Sequence, residues 1–244
     1  MTNSEELRSA MLAEVEDALL ATAAPIRQGP AADMYDLIAY HMGWKQGSQS
    51  SGKRIRPLLT LLSCAAAGGD WRSTLPIAAS IEWLHNFSLI HDDIEDQSRT
   101  RRGRETLWSK VGIPLAINTG DALFALSRSS IYGLLDHGVS PGQMINFLRI
   151  LDQTAISLCE GQHLDMRFEN ETEITPSDYM AMITGKTSVL IACACELGAM
   201  LSPADAARRA CYREFGRNLG LAFQMQDDIL GIWGSFRGTN WPLS

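Results

Sequence analysis

Residues 74–96 read TLPIAASIEWLHNFSLIHDDIED, and the fold turns on whether this run is a helix or a strand. Its apolar residues, Ile77, Ile81, Leu84, Phe87 and Ile90 among them, recur every three or four positions and not in alternation, so the run reads as helix. Pro76 stands in the opening turn, where a missing amide hydrogen costs little because that position has no partner within the helix. At the far end come His91, Asp92, Asp93, Glu95 and Asp96. On a helix Asp92 and Asp96 lie one turn apart on a shared face, with Asp93 beside them. Like charges at that spacing repel, and negative charge near a helix C-terminus opposes the macrodipole. The cluster is therefore costly without a cation. Carboxylate oxygens with no thiolate nearby suit a hard ion such as Mg²⁺, which keeps some of its waters and shares itself with a phosphate. The competing reading is an acidic helix end paired with the arginines that follow it.

The same spacing recurs along the chain and no alternating run suggests a sheet, so the fold class is all-α. Helices are predicted over roughly 4–22, 31–43, 54–67, 74–96, 113–136, 141–169, 176–200 and 203–232. Pro57, Pro76, Pro114, Pro141, Pro176 and Pro203 stand near the starts of six of them. The Gly/Ser/Gln-rich stretch 45–52 and the basic loop 97–105 are the irregular segments, and no low-complexity linker divides the chain. A single domain over 1–244 follows. With 45% hydrophobic and 20% charged residues the chain is not disordered or fibrous. Its net charge of −7 argues against general affinity for nucleic acid or anionic membrane. The five cysteines, Cys64, Cys159, Cys193, Cys195 and Cys211, are odd in number and lack C-x-x-C spacing, which predicts buried reduced thiols. The polar, acidic N-terminus is unlike a targeting peptide, and no apolar run is read as reaching the ~18 to 20 residues of a membrane span. A cytoplasmic location is expected.

Asp227 and Asp228, preceded by Gln224 and Gln226, form a second acidic pair that again follows an apolar stretch of helix. A bundle can bring two such clusters across the mouth of one cavity. Basic residues concentrate at Gly52-Lys53-Arg54-Ile55-Arg56-Pro57 and at Arg99-Thr100-Arg101-Arg102-Gly103-Arg104, with Lys186 and Thr187 in an otherwise apolar helix. Guanidinium forks grip phosphate oxygens in pairs, and unpaired amides at a helix start add to the pull on an anion. Each cluster alone is an ordinary solvated face. Together with the carboxylates they suggest two anion sites, one read through metal and one read directly by Lys and Arg.

These residues resemble the trans-isoprenyl diphosphate synthase, or polyprenyl synthetase, family of short-chain type. The resemblance rests on Gly52-Lys53-Arg54-x-Arg56-Pro57, His85-x5-His91-Asp92-Asp93-x-x-Asp96, Arg101-Arg102-Gly103, Gly120-Asp121, Gly161-Gln162-x-x-Asp165, Gly185-Lys186-Thr187 and Phe223-Gln224-x-Gln226-Asp227-Asp228, which run in family order. It implies a helical bundle around an apolar cavity. It implies Mg²⁺ held by Asp92, Asp93 and Asp96 and, from a facing helix, by Asp227 and Asp228. The allylic diphosphate would meet Arg101, Lys186, Thr187 and Gln224; isopentenyl diphosphate would meet Gly52, Lys53, Arg56, His85 and Arg102 without metal. Phe87, with the small Ser88 beside it, would set product length at geranylgeranyl diphosphate, or farnesyl diphosphate as the alternative. A homodimer is also implied. Two departures stand out: Gly231 replaces a third Asp of the second cluster, and the tail 235–244 matches no motif of the family, so the expectation is a domain incomplete at its C-terminus. Three other readings stay open: a non-catalytic partner of a full-length synthase, a class I terpene cyclase, and a helical scaffold. A cyclase has no need of the Lys53, Arg56, His85 and Arg102 set.

Overall fold

The computed structural model describes residues 2–44 and 52–233. Most of the stretch 45–52 and the tail 235–244 singled out in the sequence lie outside the described residues. The helices are α1 (Thr2–Arg27), α2 (Ala32–Met42), α3 (Ile55–Ala66), α4 (Leu75–Glu95), α5 (Leu107–Val111), α6 (Ile113–Ser130), α7 (Pro141–Phe168), α8 (Pro176–Ile183), α9 (Val189–Met200) and α10 (Ala206–Trp233). Every predicted helix is present, and the fold is all-α as expected. Local chemistry marks the starts. Ser140 with Gln143, and Thr175 with Asp178, each close a reciprocal capping box ahead of a proline at the first turn of α7 and α8.

The departures from expectation are local. α5 is too short for a periodic pattern to register. The predicted helix 113–136 tightens into a 3₁₀ turn over Ile131–His137. The basic loop folds into a two-residue antiparallel hairpin, β1 (Thr100–Arg101) and β2 (Arg104–Glu105). A π-turn, Thr184–Ser188, interrupts the predicted helix 176–200 between α8 and α9.

α4 runs through the centre. One side of it, with Trp83 and Ile90, packs with Met11, Val15 and Leu19 of α1, Ile38 of α2 and Leu61 of α3. The other, with Ile77, Ile81 and Leu84, meets Phe147, Leu151 and Leu158 of α7 and Leu190 and Leu197 of α9. A helix apolar all round is stable only inside a protein, which is where α4 lies. α10 is different: Gly216 and Gly220 are its buried residues, and they bring its backbone against Ala192 and Ser188. Phe215, Leu219 and Phe223, one turn apart, stay exposed, as do Ile229, Ile232 and Trp233.

Two expectations need correcting. Pro176–Met200 is long and apolar enough, by length and composition, to cross a membrane; most of its apolar window is nonetheless buried as a core element. Of the five free thiols, Cys159 and Cys211 are exposed, Cys159 where α7 lines an open cavity.

Candidate active site

The last turn of α4 delivers the first carboxylate cluster. Arg101, at the start of the hairpin, donates from Nε to Asp93 Oδ1 at 2.7 Å and from Nη2 to Asp92 Oδ2 at 2.9 Å. The competing sequence reading, acids paired with a following arginine, thus describes Asp93, which is 2% exposed and turned toward Arg101. It describes one oxygen of Asp92 too, but not the other. Lys186 reaches Asp92 Oδ1 at 3.2 Å and Asp165 Oδ2 at 2.5 Å, joining the acids of α4 and α7. Burial opposes the charge on Lys186, yet Asp92 and Asp165 outweigh it and hold the ammonium above its ordinary pKa.

Glycine makes that convergence possible. A Cβ on Gly185 would stand 2.7 Å from the Gly161 Cα, so only bare backbones allow the π-turn to lie against α7. Asp165 follows Gly161 by one turn and shares its face, which sets it beside Lys186. The acid is in excess here. Burial first, then Asp92, Asp165 and Glu169 against the single opposing Lys186, push the Asp96 carboxyl up to about 6.

From Lys186 a chain of polar contacts leads to the second cluster. Thr187 Oγ1 donates to Gln224 Oε1 at 2.6 Å, Gln224 Nε2 donates to Asp228 Oδ1 at 2.8 Å, and the Tyr179 hydroxyl donates to Asp228 Oδ2 at 2.6 Å. Burial and the bond to Asp228 push the Tyr179 hydroxyl up to about 12. Burial and Asp228 raise the Asp227 carboxyl, and Lys53 pulls it down, so the start of α3 lies within electrostatic reach of α10. Contacts made by the neighbours Lys186 and Thr187 thus link Asp92 to Asp228 through Gln224. Gly231 adds nothing to this cluster, for no atom lies within 4 Å of where its Cβ would be.

Beside the carboxylates is a hollow of cations. Arg56 Nη1 lies 3.1 Å from His85 Nε2, and a Cβ on Gly52 would come within 2.8 Å of the Arg102 guanidinium. Arg102 itself holds a left-handed backbone at φ 52°, a conformation that costs a non-glycine residue on the order of 1 kcal/mol or more. Burial, then Arg56 and Arg102, drive His85 well below its ordinary pKa. Burial and Arg102 lower Arg56, against the pull of Glu82. Arg56 Nε, Arg104 Nε and His41 Nε2 are buried without hydrogen-bond partners, a costly arrangement that an anion would relieve. Arg54, in the middle of the same basic run, turns the other way. It is buried between Glu16 at 2.6 Å and Glu82 at 2.8 Å and braces α1 against α4.

Between α4, α6, α7 and the α8 to α9 segment lies a cavity of about 1430 Å³ lined by Phe87, Phe124, Ala155, Leu164, Met180 and Val189. Phe87 stands in its wall, 5.2 Å from Phe124 and 4.7 Å from His91 between ring centroids. Ser88 is not part of the lining. It is about 100° round the helix from Phe87, and its hydroxyl folds back onto the His85 carbonyl at 2.8 Å. The wall is also less apolar than expected, since Asp121, Asp152 and Glu160 contribute to it.

Asp165, Tyr179 and His41 are site residues that the sequence reading did not name as such. Asp165 had a signal in its one-turn offset from Gly161; Tyr179 and His41 had none.

A helical bundle that sets two carboxylate clusters and a guanidinium hollow beside a largely apolar cavity has the architecture of the isoprenyl synthases. The chain belongs to the polyprenyl synthetase family, whose model matches residues 42–242 and so takes in most of the tail that the motifs left unmatched. It is 42% identical over 212 residues to the geranylgeranyl diphosphate synthase of Mycobacterium tuberculosis, covering 85% of this chain and 59% of that relative. The geranylgeranyl pyrophosphate synthetase of Pyrococcus horikoshii superposes with a TM-score of 0.83 at 31% identity, over 93% of this chain and 67% of that one. A polyprenyl synthase from Caulobacter crescentus, crystallised with calcium and isoprenyl diphosphate, gives a TM-score of 0.78 at 30% identity, over 92% of this chain and 63% of its own. The chain thus spans less than two thirds of the length of the M. tuberculosis relative.

Proposed function

We propose that the protein is a trans-prenyltransferase that joins an allylic diphosphate to isopentenyl diphosphate, yielding geranylgeranyl or farnesyl diphosphate. The observation that carries this reading is the presence of two unlike anion sites side by side: acids with Lys186 and Arg101 at one, and at the other the guanidinium groups of Arg56 and Arg102 beside a neutral His85, with Arg56 Nε left without a partner. A cyclase has use for the first alone. The relatives' names support the reaction class.

In this reading Lys186, Thr187, Gln224 and Arg101 bind the allylic diphosphate, and Gly52, Lys53, Arg56, His85 and Arg102 bind isopentenyl diphosphate. Among the described residues no three acid, His or Cys side chains are grouped so as to hold a metal ion as they stand. The donors fit a divalent cation all the same. They are all carboxylate oxygens, and burial, then acidic neighbours opposed only by Lys186, raise Asp96. Such an ion, Mg²⁺ in our reading, would be held by Asp92 and Asp96 with Asp227 and Asp228, while Asp93 fixes Arg101; it supplies charge stabilisation to the departing diphosphate. Lys186 and Arg101 add to that stabilisation from fixed positions, where preorganised charge is most effective. The cavity holds the allylic chain away from water and aligned with the alkene held over the cationic hollow, so that proximity supplies much of the rate. The released diphosphate takes the final proton. Phe87 limits the growing chain, which supports a C20 product with C15 as the alternative. A homodimer in the cytoplasm belongs to the same reading.

The test is direct. The purified chain is incubated with Mg²⁺, labelled isopentenyl diphosphate and, in turn, dimethylallyl, geranyl and farnesyl diphosphate, and the products are separated by chain length. Labelled prenyl product is expected with at least one primer. No product with any of the three removes the enzyme reading and leaves that of a non-catalytic partner.

A further inference from the structure

His41, near the end of α2, has no place in the reading above, yet it lies at the cationic hollow. Its Nε2 is buried with no hydrogen-bond partner. The charged and titratable groups that face it are Arg101, Arg102 and Arg104 of the hairpin and His85 of α4. Its other polar neighbour is Asn86. Both amide hydrogens of Asn86 are spent on Glu82, at 2.8 Å to its carbonyl and 3.0 Å to Oε1. Asn86 therefore has an acceptor to offer His41 and no donor. A ring that gives its one proton to Asn86 keeps Nε2 as a lone pair, buried and with nothing to accept from.

The two histidines of the hollow are thus in opposite situations. His85 Nε2 sits at hydrogen-bond distance from Arg56 Nη1, 3.1 Å. Since a guanidinium can only donate, that nitrogen is an acceptor and the ring is committed to the neutral form. His41 Nε2 is uncommitted. An anion in the hollow would meet its bare lone pair, which repels, unless the nitrogen gains a proton.

We propose that His41 is a further ligand of the metal-free diphosphate: it donates from Nε2 to a diphosphate oxygen as an imidazolium, with the proton taken from solvent as the anion enters. This rests on the prenyltransferase reading, which makes that anion isopentenyl diphosphate. Burial first, then Arg101, Arg102 and Arg104, lower the His41 pKa to about 3 before the anion arrives. A diphosphate reverses that field and raises the pKa. The sign follows: the gain in affinity is present at low pH and is lost as pH rises through the raised value, by up to about tenfold per unit.

Isopentenyl diphosphate does not turn over without a primer, so binding can be read alone. Titration calorimetry in buffers of different ionisation heat counts the protons taken up. The parent protein is expected to take up close to one more proton per site than His41→Gln, whose amide keeps a donor that cannot titrate, and the variant's affinity is expected to vary less with pH. An equal proton count in the two proteins overturns the proposal. ¹⁵N-histidine spectra of the parent protein test it without a variant: the His41 ring should change from one proton to two on addition of isopentenyl diphosphate, and a His41 ring that stays neutral overturns it. If the parent binds no isopentenyl diphosphate at all, the failure is that of the prenyltransferase reading itself.

Discussion

Two helices reach the candidate site carrying an Asp-Asp pair, and they could hardly be held more differently. α4 is buried from Ile77 to Ile90 on both of its sides, and its Asp92 and Asp93 are gripped by Arg101 and Lys186. α10 buries two glycines, and its Asp228 is held by Tyr179 and Gln224, groups without charge. In sequence the two motifs look like a repeat. In the fold, one is an extension of the core and the other leans on it. Elements with little buried apolar surface open at lower cost than those at the centre, so α10, though closely packed on α9, is expected to open more readily than α4.

The largest expected effect follows from the rigid side. Asp92 is shared by Arg101 and Lys186, so Asp92→Asn removes the charge that both cations oppose and, in the proposed reading, a ligand for the metal. Removing one preorganised electrostatic group of this kind costs on the order of 10²–10³ in kcat. Steady-state prenyl transfer should show that loss for Asp92→Asn and a smaller one for Asp228→Asn. Equal losses would erase the distinction between the two helices.

Next comes the bond that keeps α10 in place. Tyr179→Phe deletes one hydrogen bond to a carboxylate, 2.6 Å long, worth about 1.5 kcal/mol. Amide hydrogen exchange measured by mass spectrometry should speed up in the second half of α10 by roughly tenfold or less, with α4 unchanged. Faster exchange in α4 would show that the core is coupled to the leaning helix more tightly than its burial suggests.

Much of this was legible beforehand, and what was not has physical reasons. Helix period and first-turn prolines located all the long helices, because both signals are local. The acids of α4 stood out by charge spacing, since repulsion within one turn is a local cost too, and those of α10 only by recurring after a second apolar stretch. Asp165 and Tyr179 were missed because their roles depend on which helices touch. Asp165 matters through the Gly161 to Gly185 approach, and Tyr179 through a partner 49 positions away in the chain. Arg54 is the converse case. It is identical in type to Arg56 two positions later, but the helix turn between them sends it to Glu16 and Glu82. Ser88 differs from Phe87 in the same way, by one step of helical rotation.

The overcharging of the α4 cluster has a pH signature, and the raised Asp227 carboxyl gives α10 one of the same sign. The Asp96 carboxyl is raised from 3.8 to about 6, first by burial and then by its acidic neighbours, so folding favours its protonated form. Below 3.8 the folded and unfolded chains both carry the proton and nothing is lost; between there and about 6 stability falls as pH rises. With a chelator present, Asp96→Asn should therefore raise the melting temperature above pH 6 and leave it unchanged near pH 3.5, a gain of less than about 1 kcal/mol for a residue this exposed. Added Mg²⁺ should reverse the order, because asparagine is the poorer ligand. A variant that behaves alike with and without Mg²⁺ would mean that Asp96 does not meet the ion.

Gly231 should give the smallest effect. It occupies the place of a third acid in the second cluster, on an exposed turn of α10 with no atom within 4 Å of its absent Cβ. Gly231→Asp therefore adds a carboxylate without a clash and without burying it. Glycine is also the poorer helix former by a few tenths of a kcal/mol, which offsets the cost of one more negative charge near a helix C-terminus. The melting temperature should move by an amount worth less than about 0.5 kcal/mol, and the Mg²⁺ concentration giving half-maximal activity should fall by no more than a few-fold. A larger fall in that concentration would mean that α10 is drawn in when metal binds, so that a residue now facing open space comes to face the ion, and the leaning helix would prove to be the part of the site that closes.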